Sequence, residues 1–241
     1  MKKITSTIIA IIILINIGST EALAELSAKN ALDGDLSYNE GGVVYEQTAM
    51  EYALEQKKLG EAKKLWEKVK SSKAISVTCS LPVPFFEQEN YYFCGPATVK
   101  QVYHYRWGNS NTQSYYANLL STTTGGTDMT VIKNYLMNNV NSNYTYSSIG
   151  SRNNWELIIY YSLLDNRPPV LDIAPSTSGG FPYNSNGHFV NVSGAEFYDL
   201  GNNGNYVRIT DPWTPGLGNR WYSSQNLYNA NNAHFRQAII W

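Results

Sequence analysis

Cysteine is scarce in this chain. Cys79 and Cys94 are the two in 241 residues, too few for a disulfide scaffold, so a hydrophobic core must hold the fold. Excess positive charge is missing as well. Eighteen Lys and Arg against nineteen Asp and Glu leave a formal net charge of −1, without the concentrated basic surface that nucleic acid or an anionic membrane demands. The three histidines show no metal-ligand spacing, no internal repeat is visible, and no cofactor is expected. Long apolar runs are lacking with one exception, TIIAIIILINIG near the N-terminus. It follows Lys2 and Lys3, precedes the small-residue site Ala22-Leu23-Ala24, and is shorter than the roughly 20 residues of a spanning helix. Residues 1–24 therefore read as a signal peptide. The mature chain is expected to begin at Glu25, secreted and without stable membrane association.

Charge is unevenly spread. From Glu46 to Lys73 lie seven lysines and five glutamates, whereas Lys100 and Lys133 are the lysines beyond. The later part is rich in Tyr, Asn, Ser and Gly instead. This shift divides the chain into a helical N-terminal segment, 25–75, and a domain, 76–241. In the first, Ala49, Tyr52, Ala53, Leu59, Ala62, Leu65, Trp66 and Val69 recur at helical spacing, with a break expected near Gly60. That helix either belongs to the fold or is a pro-segment lying across an active site.

In the second part, prolines make SVTCSLPVPFFEQENYYFC extended. Helices are expected from Pro96, from near Thr112, after the capping pair Thr127-Asp128, and after Asn153-Asn154. PPVLDIA, HFVNVSGA, YVRITDP and RQAIIW read as strands, with a short helix at SSQNLYNA. Helices first and antiparallel strands later indicate an α+β chain.

Cys94 stands where a helix begins. Unpaired backbone N–H groups and the positive end of the dipole favour thiolate there. A nucleophile needs a base. His104 lies inside the same helix, about three turns away, and His234 sits in NANNAHFRQ without a carboxylate nearby. His188 differs: it opens an alternating strand behind Gly187, and a neighbouring strand ends in Asp211. That is a base and its orienter. Gln88, six residues before Cys94, can offer its amide N–H with the Cys94 backbone N–H to an oxyanion. A Cys79–Cys94 bridge would silence the thiol; the competing reading is that Cys79 is a buried free thiol.

Gln88, then Cys94-Gly95-Pro96-Ala97, Gly187-His188-Phe189-Val190 and Asp211-Pro212-Trp213 resemble the motifs of papain-like cysteine peptidases. They are most similar to the bacteriocin-leader (C39-like) branch, over residues 80–241. The resemblance implies a helical subdomain carrying Cys94 packed on an antiparallel sheet carrying His188 and Asp211. By it, Cys94 is nucleophile, His188 base and acid, Asp211 orienter and Gln88 oxyanion donor, and Trp213 covers the His–Asp hydrogen bond. Leader peptidases usually precede transporter segments, which are absent here, so their substrate is not carried over. A peptide or protein substrate is expected, cleaved through an acyl-thioester. The alternatives are a transglutaminase-type acyltransferase and a binding module or toxin on a retired scaffold.

If His188 and Asp211 pair directly, Val190 falls opposite Ile209 and Val192 opposite Val207. All six then share one face.

Overall fold

The computed structural model describes residues 37–40, 43–72, 75–213 and 216–241. The signal-peptide segment and the Lys73-Ala74 boundary lie outside the described residues.

A short antiparallel hairpin, β1 (Ser37–Glu40) and β2 (Val43–Glu46), precedes helix α1 (Ala49–Ser71). Thr48 starts α1 with a reciprocal capping box to Glu51, and the helix runs unbroken through Gly60. An isolated glycine costs about 1 kcal/mol relative to alanine, too little against the burial of the stripe around it. Ala62 and Trp66 are buried in the main core, with Leu59, Leu65 and Val69 packed against it.

The remaining elements are β3 (Val77–Ser80), α2 (Cys94–Trp107), α3 (Gln113–Leu119), α4 (Met129–Asn139), β4 (Tyr146–Ser148), α5 (Arg152–Leu164) and β5 (Val170–Ile173). After them come β6 (His188–Phe197), β7 (Tyr206–Asp211), β8 (Gly218–Ser223), α6 (Ser224–Ala233) and β9 (Ala238–Ile240). Helix α2 starts at Cys94 itself. Helix α5 starts at Arg152, earlier than expected, because the Ser151 side chain accepts the Asn154 N–H and caps it. Strands β1, β2, β3, β4 and β8 were not anticipated.

Among the described residues one antiparallel sheet runs β4-β9-β5-β6-β7-β8, with β3 added beside β6. Successive strand residues point to opposite faces, and both faces are covered. Leu171, Val190, Val192, Ile209 and Ile239 join one core with α1, α5 and α6; Val170, Phe189, Ala238 and Ile240 join another with α2, α3 and α4. The result is an α+β architecture with the sheet in the middle.

The β6–β7 register departs from expectation. Val192 lies opposite Ile209 and Ala195 opposite Val207, with a bulge between Val192 and Gly194. Two devices set this. The connecting loop closes around buried Asn205, whose amide receives the Tyr198 N–H at 2.9 Å and donates to the Asp199 carbonyl at 2.7 Å. Ser193, at the bulge, offers its carbonyl to the Leu81 N–H at 2.8 Å and to Arg208 at 2.9 Å. The facial assignment of the aliphatics survives, because the slip ahead of the bulge is two residues and therefore preserves the pleat.

Helix α1 packs on α5, where Trp66 meets Tyr160 edge-on at 5.1 Å. Buried Lys58 donates to the carbonyls of Asn143 and Trp241 and to the Thr145 hydroxyl at 2.7–2.8 Å. Residues Leu36–Trp241 cluster as a single compact unit, so the change of composition does not coincide with a change of packing. Trp66→Ala is expected to lower stability by about 3–5 kcal/mol, measurable by denaturant unfolding; an unchanged midpoint would show that α1 is not part of the core.

Candidate active site

Helix α2 meets the sheet through polar side chains that are themselves fully buried. Thr98 Oγ1 donates to the Phe189 carbonyl at 3.0 Å, and Asn191 Nδ2 donates to Gln101 Oε1 at 2.5 Å. These contacts lay the helix along the start of β6, which brings its first residue, Cys94, to the first residue of that strand, His188. Phe93 supplies no side-chain cap to the helix. The first-turn N–H groups thus face no competing side-chain acceptor from that position. Gly95 is sterically required. A Cβ there would lie 2.5 Å from Thr127 Oγ1 and 2.8 Å from Thr127 Cβ.

His188 is buried. Nε2 lies 2.8 Å from Asp211 Oδ1, and Cys94 is close enough to the ring to raise its pKa together with Asp211. Burial alone would lower the imidazole pKa, but the bonds to Asp211 and Cys94 outweigh it and push it up to about 10. Continuing the observed register puts Asp211 opposite Val190 rather than His188. The bond still forms because diagonal neighbours on one sheet face remain within reach of a long side chain.

Asp211 is wholly buried and takes three donors. Besides His188, the Trp213 backbone N–H reaches Oδ1 at 2.9 Å, and the Tyr183 hydroxyl reaches Oδ2 at 2.7 Å. Trp213 stands perpendicular to the His188 ring at 5.2 Å and stacks on Tyr183 at 4.2 Å. Two aromatic rings thus wall the His–Asp hydrogen bond.

Gln88 is buried in the extended segment before α2. Its backbone N–H donates to the Pro212 carbonyl at 2.8 Å, tying this segment to the residue after Asp211. The segment is held on its other side by glutamines. Gln113 Nε2 donates to the Glu87 carbonyl at 2.6 Å and Gln113 Oε1 accepts the Glu89 N–H at 3.0 Å, while Gln101 reaches the Phe86 carbonyl. The Gln88 amide donates once, to the Asn90 carbonyl at 3.0 Å, so one of its two N–H groups is already used.

His234 does have a carboxylate nearby, contrary to the sequence reading. Asp172, on β5, lies 3.5 Å from His234 Nε2 and 2.6 Å from Arg236 Nη1. Asp172 also accepts the backbone N–H of His188, and burial pushes its pKa up to about 6 against the pull of Arg236. Asp172 and His234 are far apart in sequence, and only the pairing of β5 with β6 and β9 brings them together. Tyr183, Gln101 and Gln113 also escaped the sequence reading. For Tyr183 the available signal was its place five residues before His188; for the glutamines there was none. Cys79 is a free, buried thiol on β3, opposite Ala195, and burial pushes it up to about 11; Cys94 is free as well.

The model of the Peptidase_C39 like family matches residues 80–239, about two thirds of the chain. The chain belongs to the Peptidase_C39-like family. No curated protein matches it. Among solved structures, the peptidase domain of Streptococcus ComA, a bi-functional ABC transporter involved in a quorum-sensing pathway, aligns over 66% of this chain and 96% of its own, at 17% identity and a TM-score of 0.43. A double-glycine-motif protease from an AMS/PCAT transporter, solved with its leader peptide, aligns over 67% of this chain and 91% of its own, at 13% identity and a TM-score of 0.43. The C39-like assignment and the arrangement of sheet and helices agree with the papain-like α+β fold expected from the motifs.

Gly95→Ala is expected to cost about 1–3 kcal/mol through the clash with Thr127 and to slow alkylation of Cys94 by displacing the start of α2. A melting curve and an iodoacetamide time course check both; a wild-type result in each would show that the helix start can move freely.

Proposed function

We propose that this C39-like chain is an active thiol hydrolase cleaving peptide or related amide bonds. The observation that carries the reading is His188, bonded through Nε2 to Asp211 at 2.8 Å and close enough to Cys94 for the thiol to act on its charge. A nucleophile, a base within reach and an orienter behind the base are what such catalysis needs. His188 takes the Cys94 proton and the thiolate attacks the carbonyl carbon. The oxyanion is held by the Cys94 backbone N–H and the second amide N–H of Gln88. His188 then protonates the leaving amine as the C–N bond breaks, leaving a thioester. Water, deprotonated by His188, attacks that ester and releases the acid and the free thiol. Asp211 stays buried behind the ring and keeps Nε2 directed away from the thiol. Residues 1–24 support a secreted location for this activity.

Incubation of the purified protein with a mixed peptide library, read by mass spectrometry, should give cleavage that Cys94→Ala abolishes. Brief iodoacetamide treatment should modify Cys94 and spare Cys79, whose thiol is buried. Cleavage surviving in Cys94→Ala, or preferential labelling of Cys79, would overturn the assignment. A transferase would instead join an added amine to the acyl group faster than water does.

The raised pKa of His188 has a consequence for pH dependence. The leaving amine needs the imidazolium, so activity is lost as pH rises through the native pKa, about 10. Asp211→Asn removes the negative charge that lifts it. The basic limb of kcat/KM should therefore move toward the ordinary histidine value of about 6.5, with a fall in the plateau. A basic limb in the same place in both proteins would show that Asp211 does not act on His188.

A further inference from the structure

We propose that Tyr183 is a positioning residue for the thiol chemistry, acting through Asp211. This rests on the peptidase reading above and extends it to a residue outside the four motif positions. The carboxylate of Asp211 has two oxygens with different duties. Oδ1 takes His188 Nε2 and the Trp213 N–H, and Oδ2 takes the Tyr183 hydroxyl at 2.7 Å. Asp211 is completely inaccessible, so water cannot replace a lost donor at Oδ2. A carboxylate bonded at one oxygen can still turn about its Cβ–Cγ bond. Donors at both oxygens fix the plane of the group, and with it the direction from which His188 is held.

The ring of Tyr183 is fixed as firmly as its hydroxyl. It stacks on Trp213 with 8° between the planes, and it meets His188 at 85° with centroids 5.5 Å apart. Phe181 packs against it from the core side. Burial and the Asp211 charge push the phenol far above its ordinary pKa, so the hydroxyl keeps its proton and donates. Tyr222 supplies a natural contrast. Its hydroxyl is also buried near Asp211, yet it makes no hydrogen bond. Proximity to the carboxylate therefore does not by itself produce this contact.

The test is a double-mutant cycle read by the second-order rate of Cys94 alkylation at neutral pH. That rate depends on the thiolate that a supported imidazolium maintains. Tyr183→Phe keeps the ring and its stack on Trp213 and removes only the donor. Its rate should fall about tenfold, the size expected for losing one hydrogen bond to a carboxylate. Asp211→Asn should fall at least as far. The double variant should react no more slowly than Asp211→Asn, because the carboxylate whose orientation Tyr183 fixes is gone. Tyr222→Phe should match wild type and guards against a general effect of removing a buried phenol. In peptide hydrolysis, Tyr183→Phe should lower kcat with KM unchanged. Wild-type rates in Tyr183→Phe, or independent losses that multiply in the double variant, would overturn the positioning role while leaving the peptidase reading intact. A wild-type Cys94 no more reactive than in the unfolded chain would overturn the peptidase reading, and the role of Tyr183 with it.

Discussion

One helix laid along one strand governs this site. Cys94 and His188 are separated by more than ninety residues of chain, and each is the first residue of its element. They meet because Thr98 and Gln101, on the buried side of α2, find partners on Phe189 and Asn191 of β6. An apolar interface would tolerate sliding by a fraction of a turn. Buried polar groups do not, because each unmade hydrogen bond in such a place costs about 1–3 kcal/mol. Gln101 adds a second constraint by reaching the Phe86 carbonyl, so the segment bearing Gln88 is located by the same residue that locates Cys94. The helix start, the Gln88 segment and the His188 strand are thus mutually fixed.

The residues that converge at the candidate site were legible in the sequence because each sits at an element boundary with a local mark. Cys94 precedes Gly95-Pro96 at a helix start, His188 follows a glycine at a strand start, and Asp211 precedes Pro212 at a strand end. The facial pattern of β6 and β7 was legible for a different reason: alternation is a property of each strand alone. Register is a property of the loop and the bulge, and those depend on Asn205 and Ser193 finding buried partners that no spacing announces. Strand β8, GNRWYS, escaped because it is an edge strand with little apolar alternation, and β4 because it spans three residues. The helical segment before residue 74 was correctly periodic. Its charge disguised the fact that Ala62 and Trp66 complete a core built from much later parts of the chain.

That placement bears on the pro-segment alternative. The described partners of α1 lie on α5, around Thr145 and Trp241, and on α4 through the Glu51–Lys133 ion pair, whereas Cys94 sits where α2 begins, on the other side of the sheet from α5. The two cores divide the labour. The one shared by α1, α5 and α6 supports the sheet from behind, and the one shared by α2, α3 and α4 packs against Cys94. Helix α1 thus enters the first core through Ala62 and Trp66 and reaches α4 of the second through the Glu51–Lys133 ion pair.

His188 is held twice, once by its ring and once by its backbone, and the two supports differ in kind. Asp211 accepts from the ring, is surrounded by neutral donors, and is the group whose charge lifts the imidazole. Asp172 accepts from the backbone N–H and is itself neutralised by Arg236 at 2.6 Å, with His234 beyond. Its charge is shared between Arg236 and His188, and its bond to the His188 N–H helps fix where the strand begins. Gly187 makes the arrangement possible. A Cβ there would sit 3.1 Å from His234 Nε2, so a larger residue would press on the His234 ring. The glycine ahead of the histidine is thus explained by packing against a second His–Asp pair rather than by any freedom the substrate needs.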